Sequence, residues 1–141
     1  MTGFPQQPAG GPPHPFGPDN TPYDALGGDQ RVRALSDAFY RIMADRYPDL
    51  RALHPGDTLD LHADRLYEFL SGWLGGPQLF IQRHGHPRLR MRHAHVPISA
   101  DMVDQWLACM DEALDELSIT GDLRSFLQTR LAHTARFMQN H

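Results

Sequence analysis

The sequence predicts a single all-α domain, and three observations support this prediction. Apolar residues recur at intervals of three and four along four segments, which is the period of one face of an α-helix. No segment alternates apolar and polar residues as a half-buried strand does. The 141 residues, 40% of them hydrophobic, suit one compact domain with one core. We therefore expect a small helical protein without a second domain.

The chain begins with a segment rich in proline and glycine. Residues 1–22 lack an apolar period, so we expect a disordered or extended segment there and a folded domain over residues 23–141. The segment has neither the basic start nor the apolar middle of a signal peptide, and no run of about 18 apolar residues follows. Together with a single cysteine, Cys109, this predicts a cytoplasmic protein that does not enter a membrane.

The first two helices are predicted from their apolar faces and their end signals. Asp29 is expected to cap the first helix, which should end before Pro48. The stretch "DLRALHPGD" is expected to form a turn, and Gly75-Gly76-Pro77 should stop the second helix. The apolar faces consist of Val32, Leu35, Ala38, Phe39, Ile42 and Met43, and then of His62, Leu66, Phe69, Leu70 and Trp73.

The last two helices follow the same logic. Ser99 is expected to cap a third helix with a broad apolar stripe, which should be buried. Gly121 and Asp122 separate it from a fourth helix that runs towards the C-terminus. The two stripes consist of Met102, Val103, Trp106, Leu107, Met110, Ala113, Leu114 and Leu117, and then of Leu123, Phe126, Leu127, Leu131, Ala135 and Met138.

Between the second and third helices lies "RHGHPRLRMRHAH", residues 83–95, which holds four of the nine histidines and four arginines. The formal net charge of −4 argues against a nucleic-acid-binding function, so these arginines are a local feature. A single cysteine excludes a multi-cysteine zinc or iron–sulfur site. The histidines therefore leave three interpretations: an all-histidine zinc site, a solvated loop, or a haem site.

A haem site needs one axial ligand, an apolar slot and cations for the propionates, and this segment offers all three. His93 could bind the iron, Leu89 and Val96 could line the slot, and Arg92 could pair with a propionate. Groups able to donate a hydrogen bond occur on three helices: Tyr40 at the inner end of the first, His62 on the apolar face of the second and Trp106 within the apolar stripe of the third. We expect His84 and His95 to be solvated, and His86 to have a structural role or to face a propionate.

From about residue 23 to residue 138 the sequence resembles the truncated haemoglobins, or two-over-two globins, of the second group. The most specific stretch is "GHPRLRMRHA" at residues 85–94, which closely matches the proximal segment of that family. "FYRIM" at residues 39–43, "RLYEFLSGWLGGP" at residues 65–77 and "QWLACM" at residues 105–110 occur in the expected order around it. Because four motifs occur in the same order as in the family, chance does not explain the similarity.

This resemblance implies a globin-like two-over-two helical sandwich around a b-type haem. It implies iron on His93 and a distal pocket formed by Tyr40, Trp106, His62 and His54, where the family's chemistry takes place. The residues expected to contact the cofactor are Phe39, Leu66, Leu70, Phe80, Leu89, Arg92 and Val96.

The function expected from this resemblance is binding of dioxygen and other diatomic ligands, serving nitric oxide or peroxide detoxification or sensing. Turnover of nitric oxide would need an electron donor that the chain does not contain. Two alternatives from other classes remain at this point: a haem-free helical interaction module that uses its proline-rich segment, and a histidine-based metal-binding protein.

Overall fold

A computed structural model describes residues 14–141, and residues 1–13 of the proline-rich segment lie outside the described residues. Within the described part there is no strand, only an isolated bridge between Gly17 and Asn20, which agrees with the predicted all-α class. No helix there is long and apolar enough to cross a bilayer. The helices are α1 (Pro22–Leu26), α2 (Asp29–Arg46), α3 (Pro48–Ala52), α4 (Asp60–Trp73), α5 (Leu79–His84), α6 (Leu89–Arg92), α7 (Ala100–Glu116) and α8 (Gly121–Phe137).

Two helix boundaries differ from the sequence-based expectation. Asp29 is the first residue of α2 rather than its cap, because Gly28 adopts a φ of 83° that favours glycine and turns the chain into the helix. The predicted turn after Pro48 begins instead with α3, since proline suits the first position of a helix. The cap of α7 is confirmed: the Ser99 hydroxyl accepts a hydrogen bond from Met102 N at 3.2 Å.

The four long helices, α2, α4, α7 and α8, form the predicted main architecture. Helix α2 packs against both α4 and α7, and α7 packs against α8, so that α2–α4 and α7–α8 are two contacting pairs. The core between them contains the predicted apolar faces, and each large side chain buried there contributes about 1.5–3 kcal/mol. Its largest fully buried members are Phe39, Leu35, Met43, Leu70, Leu74, Met110, Leu114 and Leu127.

Residues 14–22 pack against the helical domain, although the composition predicts disorder over residues 1–22. The Phe16 ring meets Phe126 of α8 edge-on, with centroids 5.2 Å apart, and His14 lies 4.8 Å from the same ring. The Thr21 side chain then caps α1 by accepting a hydrogen bond from Asp24 N. Aromatic contacts with the core thus hold this part of the segment, which composition alone does not reveal.

Candidate functional site

A cavity of about 370 Å³ is bounded by both helix pairs and by the segment between α4 and α7. Its wall is mostly apolar, and polar side chains reach it from α2, from α4, and from α6 and the loop after it. The lining residues are Tyr40, Leu50, Leu53, His54, His62, Arg65, Leu66, Phe69, Leu70, Phe80, Leu89, Arg92, His93, His95, Val96, Ile98, Met102, Val103, Trp106, Leu131, Thr134, Ala135 and Met138.

On one side of the cavity, His93 stands directly after the one-turn helix α6. Its Nδ1 lies 2.8 Å from the carbonyl oxygen of Leu89. Because a carbonyl can only accept, Nδ1 carries the proton and Nε2 keeps its lone pair. This is the tautomer in which histidine binds a metal, and the same hydrogen bond fixes the orientation of the ring.

The loop after His93 is held by Asn140, next to the C-terminus. The Asn140 side chain donates to the carbonyl oxygens of Val96 at 2.9 Å and His93 at 3.5 Å, while its Oδ1 accepts from Ile98 N at 2.9 Å. One amide therefore satisfies backbone groups at both ends of a short segment that has no helix of its own. Asn140 thus holds the backbone of His93 and of the loop that follows it.

Four ring side chains line the cavity: Tyr40 from α2, His54 from the turn after α3, His62 from α4 and Trp106 from α7. The Tyr40 ring lies 5.6 Å from His54 and 6.3 Å from His62, and the two imidazoles are 5.0 Å apart. Trp106 of α7 joins them through Phe39, whose centroid lies 5.0 Å from both the Tyr40 and the Trp106 rings. Phe39 is thus the buried support on which Tyr40 and Trp106 rest.

The hydrogen bonds of the two histidines decide what they offer to a ligand. His54 Nδ1 lies 3.0 Å from the Leu50 carbonyl oxygen, and His62 Nε2 lies 2.9 Å from that of Pro55. Each neutral imidazole therefore donates its only N–H to a backbone carbonyl, and its other nitrogen is an acceptor. This differs from the expectation that His62 donates into the cavity; in the neutral forms, Tyr40 and Trp106 are the donors.

Burial sets the protonation of two of these groups. Burial lowers the pKa of His54 below its ordinary value of 6.5, and the nearby His62 and Arg51 lower it further, against the hydrogen bond to Leu50. Burial likewise raises the pKa of Tyr40 well above 10, to which Cys109 adds. At neutral pH the Tyr40 hydroxyl therefore keeps its proton and His54 is uncharged.

Arginine side chains mark the rim of the cavity. Arg92 donates to the carbonyl oxygens of His84 at 3.1 Å and His86 at 3.2 Å, and its guanidinium carbon lies 5.2 Å from the centre of the Phe80 ring. Arg65 lines the cavity from α4. The rim thus carries positive charge beside an apolar wall, as an amphipathic anion requires.

A buried carboxylate holds α5 in place under this rim. Glu68 is only 4% exposed and accepts hydrogen bonds from Arg83 at 2.7 Å and His84 at 2.8 Å. The predicted solvation of His84 is wrong, because its ring is drawn inwards by Glu68 and packs 4.9 Å from Phe80. His95 is exposed as predicted, at the cavity mouth, and His86 accepts a hydrogen bond from Arg88 N.

Most of the site residues predicted from the sequence meet at this one cavity. The exception is Phe39, which was expected to contact the cofactor but is fully buried behind Tyr40 and Trp106. Sequence reasoning missed the contribution of α8 and of Arg65. The α8 positions could have been recognised from their spacing along the last apolar stripe: Leu131, Ala135 and Met138.

The cavity suits a haem better than it suits a zinc ion. Haem is a flat apolar ring with two carboxylates and one iron atom. The apolar wall could contact the ring, the arginines of the rim could pair with the carboxylates, and His93 could bind the iron. Among residues 14–141 no group of three or more His, Cys, Asp or Glu side chains could hold a metal ion, so the zinc interpretation finds no ligand set in this range. Two contacting helix pairs around such a cavity, with the oriented histidine His93 on one side of it, define the globin class.

Comparison with known proteins shows which family of globins the chain belongs to. The model of the bacterial-like globin family matches residues 21–140. The group 2 truncated hemoglobin YjbI of Bacillus subtilis (strain 168) is 41% identical over 121 residues, which cover 86% of this chain and 89% of the relative. The chain belongs to this family and, within it, to the group II truncated haemoglobins, and this membership implies that it binds haem iron and dioxygen.

Solved structures agree with this fold. The crystal structure of the group II truncated hemoglobin from Bacillus anthracis superposes with a TM-score of 0.82 at 41% identity, covering 85% of this chain and 96% of the other. The truncated oxygen-avid haemoglobin from Bacillus subtilis gives a TM-score of 0.80 at 42% identity, covering 86% and 100%. The predicted two-over-two globin fold is therefore confirmed.

Proposed function

We propose that the chain holds a b-type haem through His93, retains dioxygen in the cavity and uses it to convert nitric oxide to nitrate. The observation that carries this proposal is the pair of hydrogen-bond donors, Tyr40 and Trp106, facing the histidine across one cavity. When bound, the haem supplies the reversible binding of dioxygen and the exchange of electrons. A further argument is that one similar protein is described as oxygen-avid.

Different residues of the chain would hold different parts of the cofactor. His93, oriented by the Leu89 carbonyl, would bind the iron. Arg92 and Arg65 at the rim would pair with the propionates. The apolar wall would exclude water from the ring through Leu66, Leu70, Phe80, Leu89 and Val96.

On the distal side, Tyr40 and Trp106 would bind and orient the ligand. Oriented donors stabilise negative charge that develops on dioxygen, and they need no rearrangement when it arrives. A net hydrogen bond contributes about 0.5–1.5 kcal/mol, so the two donors together could slow release by about 10- to 100-fold. Such retention suits a reaction of dioxygen better than its delivery.

Nitrate formation balances with one electron, since NO, O₂ and one electron together give NO₃⁻. In a single turnover this electron would come from the ferrous cofactor, and a donor outside the chain would have to reduce the cofactor again before the next one. The test is single-turnover mixing of the oxygen-loaded protein with nitric oxide. Nitrate should form in a 1:1 ratio to protein, and the Tyr40→Phe variant should form less of it because dioxygen escapes first. Loss of dioxygen without nitrate formation would contradict the proposal.

Peroxide reduction is a second candidate, favoured by His54. The Nε2 of this neutral ring is an acceptor at the cavity, and a base of this kind could take the proton of a bound peroxide. The His54→Phe variant should then lose peroxidase activity towards a dye substrate while nitrate formation remains. Unchanged peroxidase activity in this variant would exclude the base role. Ligand sensing is a third use that the same cavity would allow.

A further inference from the structure

The outer side of the proximal segment carries an exposed surface that the ligand cavity does not use. It consists of Arg88, Arg90, Met91 and Phe137, and we call it the proximal cationic surface. Met91 is 60% and Phe137 is 56% exposed, which makes them two of the most exposed large apolar side chains in the described part. The Arg90 guanidinium lies 5.6 Å from the centre of the Phe137 ring, so an exposed charge and an exposed apolar ring are in contact here.

The arginines of this surface lack the carboxylate partners that other arginines have. Within residues 14–141, seven arginines form ion pairs with Asp or Glu, but Arg88 and Arg90 have no carboxylate within 4.0 Å. The chain has an excess of acidic residues, with a net charge of −4, so unpaired positive charge here is not a consequence of overall composition. The surface is a positive pole on a negative molecule.

The backbone adds a second unusual feature. Arg88 has a φ of 43°, a left-handed conformation that is strained for a residue with a Cβ atom. Glycine or asparagine would fit this position with less strain. An exposed arginine in this conformation at the start of α6 agrees with a role for its side chain outside the fold.

The surface lies on the outside of the cavity wall. Met91 precedes Arg92 and His93, both of which line the cavity, and Phe137 precedes Met138, which also lines it. A molecule bound at this surface would therefore lie against α6, which directly precedes the proposed iron ligand His93. Such closeness matters for electron transfer and would serve no purpose for the diffusion of small gases.

We propose that the proximal cationic surface docks an acidic one-electron donor protein, which supplies the electron that nitrate formation requires. This inference rests on the proposed function. An exposed apolar centre with a charged rim is the usual anatomy of a transient protein interface. The positive pole would attract and orient a partner with a negative patch and so speed its association.

An acidic protein fits this surface better than an extended polyanion does. Nucleic acids and anionic membranes are bound by several cations acting together, whereas this patch has two unpaired arginines on a chain that is negative overall. The apolar pair, Met91 and Phe137, would also remain unused against a phosphate backbone.

The test measures reduction of the ferric holoprotein in a stopped-flow instrument at low ionic strength. The reductants are [Fe(EDTA)]²⁻, [Ru(NH₃)₆]²⁺ and a reduced plant-type ferredoxin, which is an acidic one-electron carrier. The surface variant is Arg88→Gln/Arg90→Gln. The matched control is Arg41→Gln/Arg46→Gln, which removes the same charge from two exposed arginines of α2.

The surface variant should react about three- to tenfold more slowly with ferredoxin and with [Fe(EDTA)]²⁻, and faster with [Ru(NH₃)₆]²⁺. These differences should vanish at high salt. The control should change by less than about twofold. Phe137→Ser should slow the reaction with ferredoxin alone, because small ions need no apolar contact.

Three results would overturn the docking proposal. Equal effects of the surface variant and the control would place electron entry elsewhere. Unaltered ferredoxin rates in the surface variant would show that charge at this patch does not guide a protein donor. Sedimentation of the wild type, but not the surface variant, with phosphatidylglycerol vesicles would make a membrane the occupant. Single-turnover nitrate formation needs no donor, so its failure would refute the proposed function and leave these rates interpretable.

Discussion

At the scale of single residues, the distal side of the cavity separates donors from acceptors. Tyr40 and Trp106 have hydrogens to offer, whereas His54 and His62 direct theirs to the Leu50 and Pro55 carbonyls. A neutral imidazole has only one N–H, so a backbone contact on one nitrogen determines what the other can do. This division gives each side chain a distinct and measurable role.

Replacing the donors should speed the loss of dioxygen. Tyr40→Phe and Trp106→Phe each remove one hydrogen bond of about 0.5–1.5 kcal/mol, so release should accelerate by about 2- to 13-fold in each variant. The measurement is displacement of dioxygen by carbon monoxide in a stopped-flow instrument. Tyr47→Phe is the control, since the Tyr47 hydroxyl bonds to Glu112. Unaltered rates in Trp106→Phe would leave that residue with a packing role only.

Acid should add a donor at His54. Because burial lowers the pKa of His54 below 6.5, the ring is neutral at pH 7 and gains its second N–H only on further acidification. Oxygen release should therefore be constant between about pH 8 and 6.5 and should slow below that range. The His54→Phe variant should show no such dependence. The same pH profile in both proteins would assign the effect to another group.

The lowered pKa of His54 also makes the free energy of unfolding depend on pH. The unfolded chain binds a proton at His54 more readily than the folded one does. This contribution to stability is therefore present above pH 6.5 and decreases as the pH falls through that value.

At the scale of elements, short helices and loops are fixed by single polar side chains. Glu68 fixes α5 to α4, and Asn140 fixes the loop after His93 to the C-terminus. Neither α5 nor α6 has enough length to be stable alone, so tertiary contacts must supply their stability. The proximal wall is therefore sensitive to these two polar residues.

Neutralising Glu68 should destabilise the protein in a pH-dependent way. Burial acts to raise the pKa of Glu68, but Arg83, His84 and Arg65 together outweigh it and lower the pKa below 4.5. The stabilisation is thus present above about pH 4.5 and disappears as the pH falls through the folded-state value. Glu68→Gln should lose about 1–2 kcal/mol of unfolding free energy at pH 7, less than for a fully buried pair because the arginines are about half exposed.

Urea unfolding at pH 7 and at about pH 4 measures this difference. The gap between wild type and Glu68→Gln should shrink at the lower pH. The control is Glu116→Gln, which breaks an exposed ion pair with Arg41 and should cost less than about 0.5 kcal/mol. A gap that is constant with pH would show that the charge of Glu68 does not matter.

Removing the Asn140 amide should loosen the proximal loop and speed haem loss. Contacts that orient a ligating histidine typically affect metal affinity by about 10- to 100-fold. Because Asn140 acts on the backbone and not on the ring, we expect a three- to tenfold faster transfer of haem from Asn140→Ala to excess apomyoglobin. Gln139→Ala is the control, since its side chain bonds only to His141 O. Equal transfer rates for both variants would contradict the role of Asn140.

At the scale of the whole molecule, periodic features are the ones that the sequence predicts well. The four long helices follow from apolar stripes, and the proximal segment follows from a dense motif. The inward turn of His84 could not be predicted, because it depends on Glu68, which lies sixteen residues away and shows no local signal. The backbone hydrogen bond of His62 depends in the same way on the loop at Pro55, whose path no periodicity describes.

Phe39 shows that a motif match predicts the position of a residue on a helix but not its contact with a ligand. The match correctly places it beside Tyr40, but only packing shows that its ring lies behind the cavity wall instead of in it. Adjacent residues on a helix differ by about 100° in direction, so one can line a cavity while its neighbour joins the core. Motifs therefore predict position along an element better than contact with a ligand.

The central claim is that His93 binds the iron of a haem held in this cavity. The most direct measurement is the visible absorption spectrum of the purified ferric and dithionite-reduced protein, compared with that of His93→Gly with and without added imidazole. The wild type should bind one haem per chain with a histidine-ligated spectrum, His93→Gly should lose this spectrum, and added imidazole should restore it. The same spectrum in His93→Gly without imidazole, or failure of the wild type to bind haem, would contradict it.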